Sequence, residues 1–277
     1  MHNAVITGAA SGLGRELAIA LAKRGYQILI ADINQDGMEK TLDLVRQNGS
    51  DGEVYPCDVS RPTEVQHMAD HAFSAGKHVD LLINNAGVVT VGHIGDIALK
   101  DWQWCVGINF WGMLHGCHSF IPGFKAQGGG HIINIASSAG LFSLMQMGPY
   151  NVTKAAIISL SETLRTELAP HNIGVTVSCP MFFHTNLLDT MRYKDQFQHQ
   201  FAHSAFDHGR LSAQEVAERT VRAFEKNKLY VIPQWTGKMY WILKRLAPSL
   251  FYSTMAFAVR KSFGEQAALL MTRMGLM

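Results

Sequence analysis

Tyr150 and Lys154 stand four residues apart in a stretch that reads as one helix. Pro149 suits the first turn, where its missing N–H costs nothing. Ala155, Ile158, Leu160, Leu164 and Leu168 continue the segment with apolar spacing, so the phenol and the amine share a face. A free tyrosine, with a pKa near ~10, is a poor base at neutral pH. A fixed cation nearby stabilises the phenolate and lowers that value. The tyrosine can then exchange a proton with an alcohol or carbonyl oxygen. Ser137, thirteen residues earlier, follows the apolar run 132–136 and is expected at a strand end, hydrogen-bonding the same oxygen. The same pair also occurs as a surface tyrosine beside a solvated lysine, so the elements around it must decide.

Those elements alternate. Residues 4–15 read as a strand, a glycine-rich turn and a helix start, the helix running over about 13–23 and stopped by Gly25. Gly8, Gly12 and Gly14, with Ser11 and Leu13 between them, let backbone approach a pyrophosphate at a helix N-terminus. A second strand ends in Asp32, eighteen residues after Gly14, near the ~20 expected of a ribose-binding carboxylate. A carboxylate there accepts from both ribose hydroxyls and repels a 2′-phosphate, which favours NAD over NADP; a helix-capping aspartate is the competing reading. Arg15, the nearest basic residue, is assigned to the helix surface. A helix over 35–48, a strand over 53–59, a helix over 62–75 and a strand with its exit over 79–87 follow. Asp58 and Val59 are expected beside an adenine ring. Asn84 and Asn85 are expected to fix a turn, and Ala86 and Gly87 to let a cofactor pass. The alternation predicts an α/β fold, a Rossmann-type doubly wound parallel sheet of about seven strands with helices on both faces.

These motifs resemble the short-chain dehydrogenase/reductase family in its compact single-domain form. The matching residues are Thr7, Gly8, Gly12, Gly14, Asp58, Asn84-Asn85-Ala86-Gly87, Asn109, Ser137, Tyr150 and Lys154, and the resemblance covers roughly residues 3–235. It implies hydride transfer with a nicotinamide cofactor and a catalytic set of Asn109, Ser137, Tyr150 and Lys154. Asn109 would kink its helix and hold a water that relays protons to Lys154. Tyr150 and Lys154 would also contact the cofactor, as would Pro180 and Thr185, the threonine near the carboxamide. The family usually has glycine after this proline; here Met181 stands there, which is expected to narrow the nicotinamide pocket.

Composition agrees with an enzyme of this kind. The chain has 277 residues, 47% hydrophobic and 17% charged, with a net charge of +2; a sizeable core is expected, and no nucleic-acid partner. Cys57, Cys105, Cys117 and Cys179 lack any Cys-x-x-Cys spacing and read as reduced thiols of a cytoplasmic protein. No signal peptide is expected, and no run reaches the ~18 apolar residues of a membrane span. His115 and His118, and His199 and His203, lack the acidic partner of a metal site, so no metal is expected.

Residues 99–125 read as one long helix, too apolar for a single buried face. With the helix at Tyr150 it is expected to meet a second copy in a homodimer or homotetramer, as the family resemblance also implies. Strands are expected over 131–136, 174–180 and 229–233, with a helix over 213–226. Residues 181–207 form the expected lid, with Phe182, Phe183, Leu187, Leu188, Met191, Phe197, Phe201 and Phe206. With Leu144, Met145 and Met147 they enclose a hydrophobic alcohol or ketone of lipid, steroid or aromatic type. The domain therefore spans 1–235, and 236–277 is a helical extension. Its Trp241, Leu243, Leu246, Phe251 and Phe257, among Lys244, Arg245, Arg260 and Lys261, suit either a neighbouring subunit or a membrane surface. The expected activity is interconversion of a secondary alcohol and a ketone. A silent dinucleotide-binding sensor or scaffold, and an epimerase or dehydratase of the same family, are the alternatives.

Overall fold

The computed structural model describes residues 2–193 and 195–260, apart from the side chains of Asn186, Phe197 and Phe201. The expected lid residues Phe197 and Phe201, and residues 261–277 of the extension with Lys261, therefore lie outside the described residues and side chains.

Short β-branched and aliphatic runs make the strands: β1 (His2–Thr7), β2 (Tyr26–Asp32), β3 (Gly52–Pro56), β4 (Leu81–Asn84), β5 (Gly130–Ile135), β6 (Ile173–Ser178) and β7 (Tyr230–Val231). They form one parallel sheet in the order β3-β2-β1-β4-β5-β6-β7. The order reverses between β1 and β4, so the crevice beyond their carboxyl ends is where such sheets bind ligands.

Helices cover both faces. On one side α1 (Gly12–Ala22), α2 (Gln35–Gln47) and α9 (Ala213–Glu225) bury Leu17, Leu21, Met38, Val45, Val216 and Val221 against Ile6, Ile30 and Ile83. On the other, α3 (Pro62–Ala72), α5 (Met113–Gln127) and α7 (Gly148–Glu167) bury Val65, Met68, Phe120, Phe124 and Leu164 against Val5, Leu82 and Val175. Fully buried aromatics such as Phe120 and Phe124 are each worth ~3–5 kcal/mol against truncation to alanine. Arg24 at the end of α1 pairs with Glu218 and Glu225 of α9, at 3.0 and 2.6 Å, tying the two halves of the sequence together.

Several boundaries differ from expectation. The third and fourth strands end at Pro56 and Asn84, because pairing stops there and the chain turns into the crevice. The last strand keeps only Tyr230 and Val231, paired to Val177 and Ser178 at the sheet edge. The long helix is three pieces: α4 (Leu99–Val106), a π-helical turn (Gly107–Gly112) and α5. Arg15, expected on the helix surface, is half-buried. Its guanidinium reaches inward to Thr41 Oγ1 at 3.0 Å and to the carbonyl oxygen of Ala10, bracing the glycine-rich turn against α2. The remaining elements are α6 (Ser138–Leu141), α8 (Gln196–Asp207), α10 (Trp235–Leu246) and α11 (Pro248–Arg260).

Candidate active site

The glycine-rich turn is held from beneath. Thr7 Oγ1 accepts hydrogen bonds from the backbone N–H groups of Asn85 (3.0 Å) and Ala86 (3.2 Å). Asn85 Nδ2 donates back to the carbonyl oxygens of Thr7 and Gly8, both at 2.9 Å. Gly8 and Gly12 have φ of +66° and +52°, which side chains disfavour. A Cβ on Gly8 would lie 2.6 Å from Ala86 Cα. Ser11 precedes α1 without capping it, and the first turn of α1 holds no acid. An uncapped helix start behind a glycine turn favours an anion, so the residues present fit a dinucleotide pyrophosphate.

Asp32 ends β2 beside this turn. Its carboxylate accepts from the N–H groups of Ala10 and Asn34, both at 3.0 Å. Asn34, not Asp32, caps α2, so the capping reading of Asp32 falls away. Asp58 accepts from Ser60 N–H and Oγ at 2.9 and 2.7 Å. Val59 packs under Gly112 of the π turn, and its carbonyl oxygen meets His115 Nδ1 at 3.0 Å.

At the other end of the crevice, Lys154 is buried and its Nζ donates to the carbonyl oxygen of Ile135, the last residue of β5, at 2.8 Å. Ser137, two residues on, caps α6: its Oγ accepts from Ala139 N–H at 3.2 Å and donates to Pro180 O at 3.3 Å, close enough to Tyr150 to pull its pKa down. Gly140 lets α6 sit directly on α7: a Cβ there would lie 2.5 Å from the Lys154 carbonyl carbon. Asn109, in the π turn, is fully buried. Its Oδ1 accepts from Val88 N–H and its Nδ2 donates to Val88 O, both at 2.8 Å. Gly87 lies between the two groups, its would-be Cβ 3.3 Å from Asn109 Oδ1 and 3.5 Å from Lys154 Nζ. The fold thus brings Ser137, Tyr150, Lys154 and Asn109 to one place, and Gly8 to Gly14 with Asp32 to another along the same crevice.

The electrostatics depart from expectation in one respect. Burial pushes the Tyr150 phenol up to about 12, with the Ser137 hydroxyl pulling the other way. Lys154 Nζ lies 5.5 Å from the tyrosine ring centre, and burial lowers its own pKa to about 8. Burial, and not the lysine expected to lower it, dominates the phenol: each of the two buried groups resists charge. At neutral pH the tyrosine is a proton donor and the lysine is still mostly charged.

A small, partly open cleft continues from Ser137 and Tyr150. Its walls include Leu144, Met147, Met181, Phe183, Leu187 and Phe206. Pro180 lines it too, whereas half-buried Thr185 is not among the lining residues. Met181 avoids the left-handed region. Its N–H donates to Gln234 Oε1 at 3.0 Å, and its sulfur accepts from the Thr236 hydroxyl at 3.3 Å. The residue that replaces the usual glycine thus fixes the start of α10 to the cleft wall.

The sequence model of the short chain dehydrogenase family matches residues 2–196. The chain belongs to the short-chain dehydrogenase/reductase family. SadH of Mycobacterium tuberculosis is 31% identical over 264 residues, 94% of this chain and 96% of that protein. A C alpha-dehydrogenase of Sphingobium is 31% identical over 243 residues, 83% of this chain and 79% of that protein. A short-chain dehydrogenase/reductase from Burkholderia phymatum, solved in complex with NAD, superposes with a TM-score of 0.85 at 33% identity, covering 90% of this chain and 94% of that one. This short-chain dehydrogenase/reductase is accordingly an oxidoreductase with the family's nucleotide-binding fold.

One buried polar network was missed by sequence reasoning. Asn84 Nδ2 donates to Asn134 Oδ1 at 2.9 Å, and Asn134 Nδ2 donates to Ser161 Oγ at 3.0 Å. It pins β4 to β5 and β5 to α7, the helix that carries Lys154. The signal was a lone asparagine in the apolar run Ile132-Ile133-Asn134-Ile135. A buried amide there demands partners.

Proposed function

We propose that this protein interconverts a hydrophobic secondary alcohol and its ketone by hydride transfer with NAD, Tyr150 acting as the acid and base. The observation that carries the reading is the convergence of the Ser137 and Tyr150 hydroxyls at the head of an apolar cleft, with Lys154 held beside them by Ile135 O. When bound, the nicotinamide supplies or accepts the hydride. Asp32 holds the adenosine ribose and disfavours a 2′-phosphate, and the Gly8–Gly14 turn and Ser11 hold the pyrophosphate. Asp58, Val59, Asn85, Ala86 and Gly87 line the path between. Pro180 and Thr185 meet the nicotinamide end. Lys154 holds the nicotinamide ribose, and Asn109 fixes the backbone that faces it.

Ser137 and Tyr150 grip the substrate oxygen. In reduction, Tyr150 gives its proton to the nascent alkoxide; in oxidation it takes the hydroxyl proton. A phenol raised to about 12 suits donation at neutral pH. Oxidation should therefore gain rate as pH rises above neutral, while reduction holds steady over the same range. Phe183, Leu187, Met147 and Phe206 favour an apolar substrate body of lipid, steroid or aromatic type. Trp111, 49% exposed, and Val152 on α7, 55% exposed, supply an apolar face for a second copy.

The test is a spectrophotometric screen of alcohols and ketones of graded bulk with NAD and NADP. Tyr150→Phe should abolish turnover of whichever pair the wild type converts while leaving NAD affinity within about twofold. Full turnover in that variant removes Tyr150 from the mechanism. Cofactor binding without turnover of any pair in the panel would favour the sensor.

A further inference from the structure

The helix α10 is apolar on both sides. Its inner face is accounted for: Thr236 and Gly237 pack on Met181, Tyr240 on Phe142, Trp241 on Tyr230, and Lys244 Nζ donates to Leu141 O at 3.0 Å. Its outer face carries Trp235, Met239, Ile242, Leu243 and Leu246, spaced at 4, 7, 8 and 11 residues from the first. These five are exposed by 37% to 79%. An amphipathic surface helix normally turns one apolar stripe inward and a polar one to water. A second apolar stripe in the open marks an interaction surface.

The charges of the segment itself are of one sign, the acid nearest its inner face being Glu162, which accepts from the Tyr230 hydroxyl. From residue 226 to residue 260 the chain has Lys226, Lys228, Lys238, Lys244, Arg245 and Arg260 and no aspartate or glutamate. Lys238 and Arg245 are exposed on α10 itself, flanking the stripe. Two copies of this face brought together about a two-fold axis would set cations against cations with no acid in the segment to offset them. Apolar side chains ringed by basic ones suit instead a layer of hydrocarbon beneath anionic headgroups. Among the described residues no helix is long and apolar enough to cross a membrane, so the contact would lie in the surface plane.

We propose that the outer face of α10 docks this protein on an anionic lipid surface. The stripe enters the headgroup boundary and the flanking cations meet lipid phosphates. The helix that docks is the one whose opposite face fixes Met181, so the docking surface and the cleft wall share one element. The docking does not depend on the catalytic reading, because it is read without substrate.

The experiment is co-sedimentation of the full chain with phosphatidylcholine vesicles and with vesicles of phosphatidylcholine and phosphatidylglycerol in equal parts. The wild type should sediment with the mixed vesicles, at least about tenfold more than with phosphatidylcholine alone, and should be released by high salt. Two double variants, Ile242→Glu with Leu246→Glu and Lys238→Glu with Arg245→Glu, should each lose at least about tenfold in binding, with an unchanged melting temperature and an unchanged mass by light scattering. Wild-type protein that stays in the supernatant overturns the proposal, as do variants that sediment like the wild type. A fall in mass on substitution also overturns it, because the face then belongs to a second copy.

Discussion

Gly140 gives the sharpest test of how the fold positions the reacting groups. It is the point where α6, which begins beside Ser137, lies against α7, which carries Tyr150 and Lys154. In Gly140→Ala the new Cβ would sit 2.5 Å from the Lys154 carbonyl carbon, 2.6 Å from its oxygen and 2.8 Å from the Ala155 nitrogen. Carbon atoms rest at about 3.5–4.0 Å. All three neighbours are backbone, so no side chain can rotate away, and the two helices must part by about 1 Å. Ser137 moves with α6 and Tyr150 stays with α7, so the separation falls between the two hydroxyls proposed to grip the substrate. A misplacement of that size costs on the order of 100-fold in rate. The cofactor turn at Gly8 to Gly14 lies on another part of the sheet, and its affinity should hold. The assay is steady-state kinetics on an alcohol–ketone pair that the wild type converts, with NAD binding followed by fluorescence. Loss in kcat with an intact NAD Kd is expected. A kcat within a few-fold of wild type would show that the helices absorb the methyl elsewhere, and that their close contact does not set the Ser137–Tyr150 geometry.

Three further outcomes follow from the same structure. Asp32→Ala removes a carboxylate that accepts two backbone N–H bonds, so both cofactors should weaken, NAD by about 10- to 100-fold more than NADP; an unchanged NAD-to-NADP ratio of Kd values would detach Asp32 from the choice. Burial pushes His131 down to about 3, below the ~6.5 of the unfolded chain, so the unfolded state binds the extra proton between those values. Stability should then fall as pH drops through that window, by up to ~1.4 kcal/mol per pH unit, and His131→Gln should flatten the slope of urea midpoint against pH; parallel slopes would refute it. Gly116→Ala should destabilise by ~1–3 kcal/mol in urea melts although alanine is the better helix former, because its Cβ would lie 2.1 Å from Asn84 Oδ1; a raised midpoint would mean that Asn84 moves freely.

Much of the site was legible because its chemistry is local or set by strand order. Tyr150 and Lys154 share a helix face by spacing alone. Gly8, Gly12 and Gly14 mark a turn that only glycine tolerates, and Asp32 ends a strand that alternation places next to β1. The apolar stripe of α10 could also be read from its periodicity, but not which of its two apolar faces would be buried. Burial of long helices was harder to read. Apolar periodicity read the run 99–125 as one helix because it does not register a π turn; the expected kink at Asn109 marked the place, and there its amide meets Val88. Arg15 looked solvent-facing because nothing in the sequence reveals that Thr41 and Ala10 stand within its reach.

The sequence by itself determined the order of strands and helices, the glycine-lined turn and the identities of the groups that would meet a dinucleotide, since all of these follow from residue type and short-range spacing. Only the tertiary structure decided how acidic the phenol is. Desolvation depends on every atom packed around Tyr150 and Lys154, from Ile135 to Cys105, and most of those atoms come from distant parts of the chain. The same holds for Met181: its place in the chain suggested a narrowed pocket, but that it links the cleft wall to α10 depends on Gln234 and Thr236, more than fifty residues away.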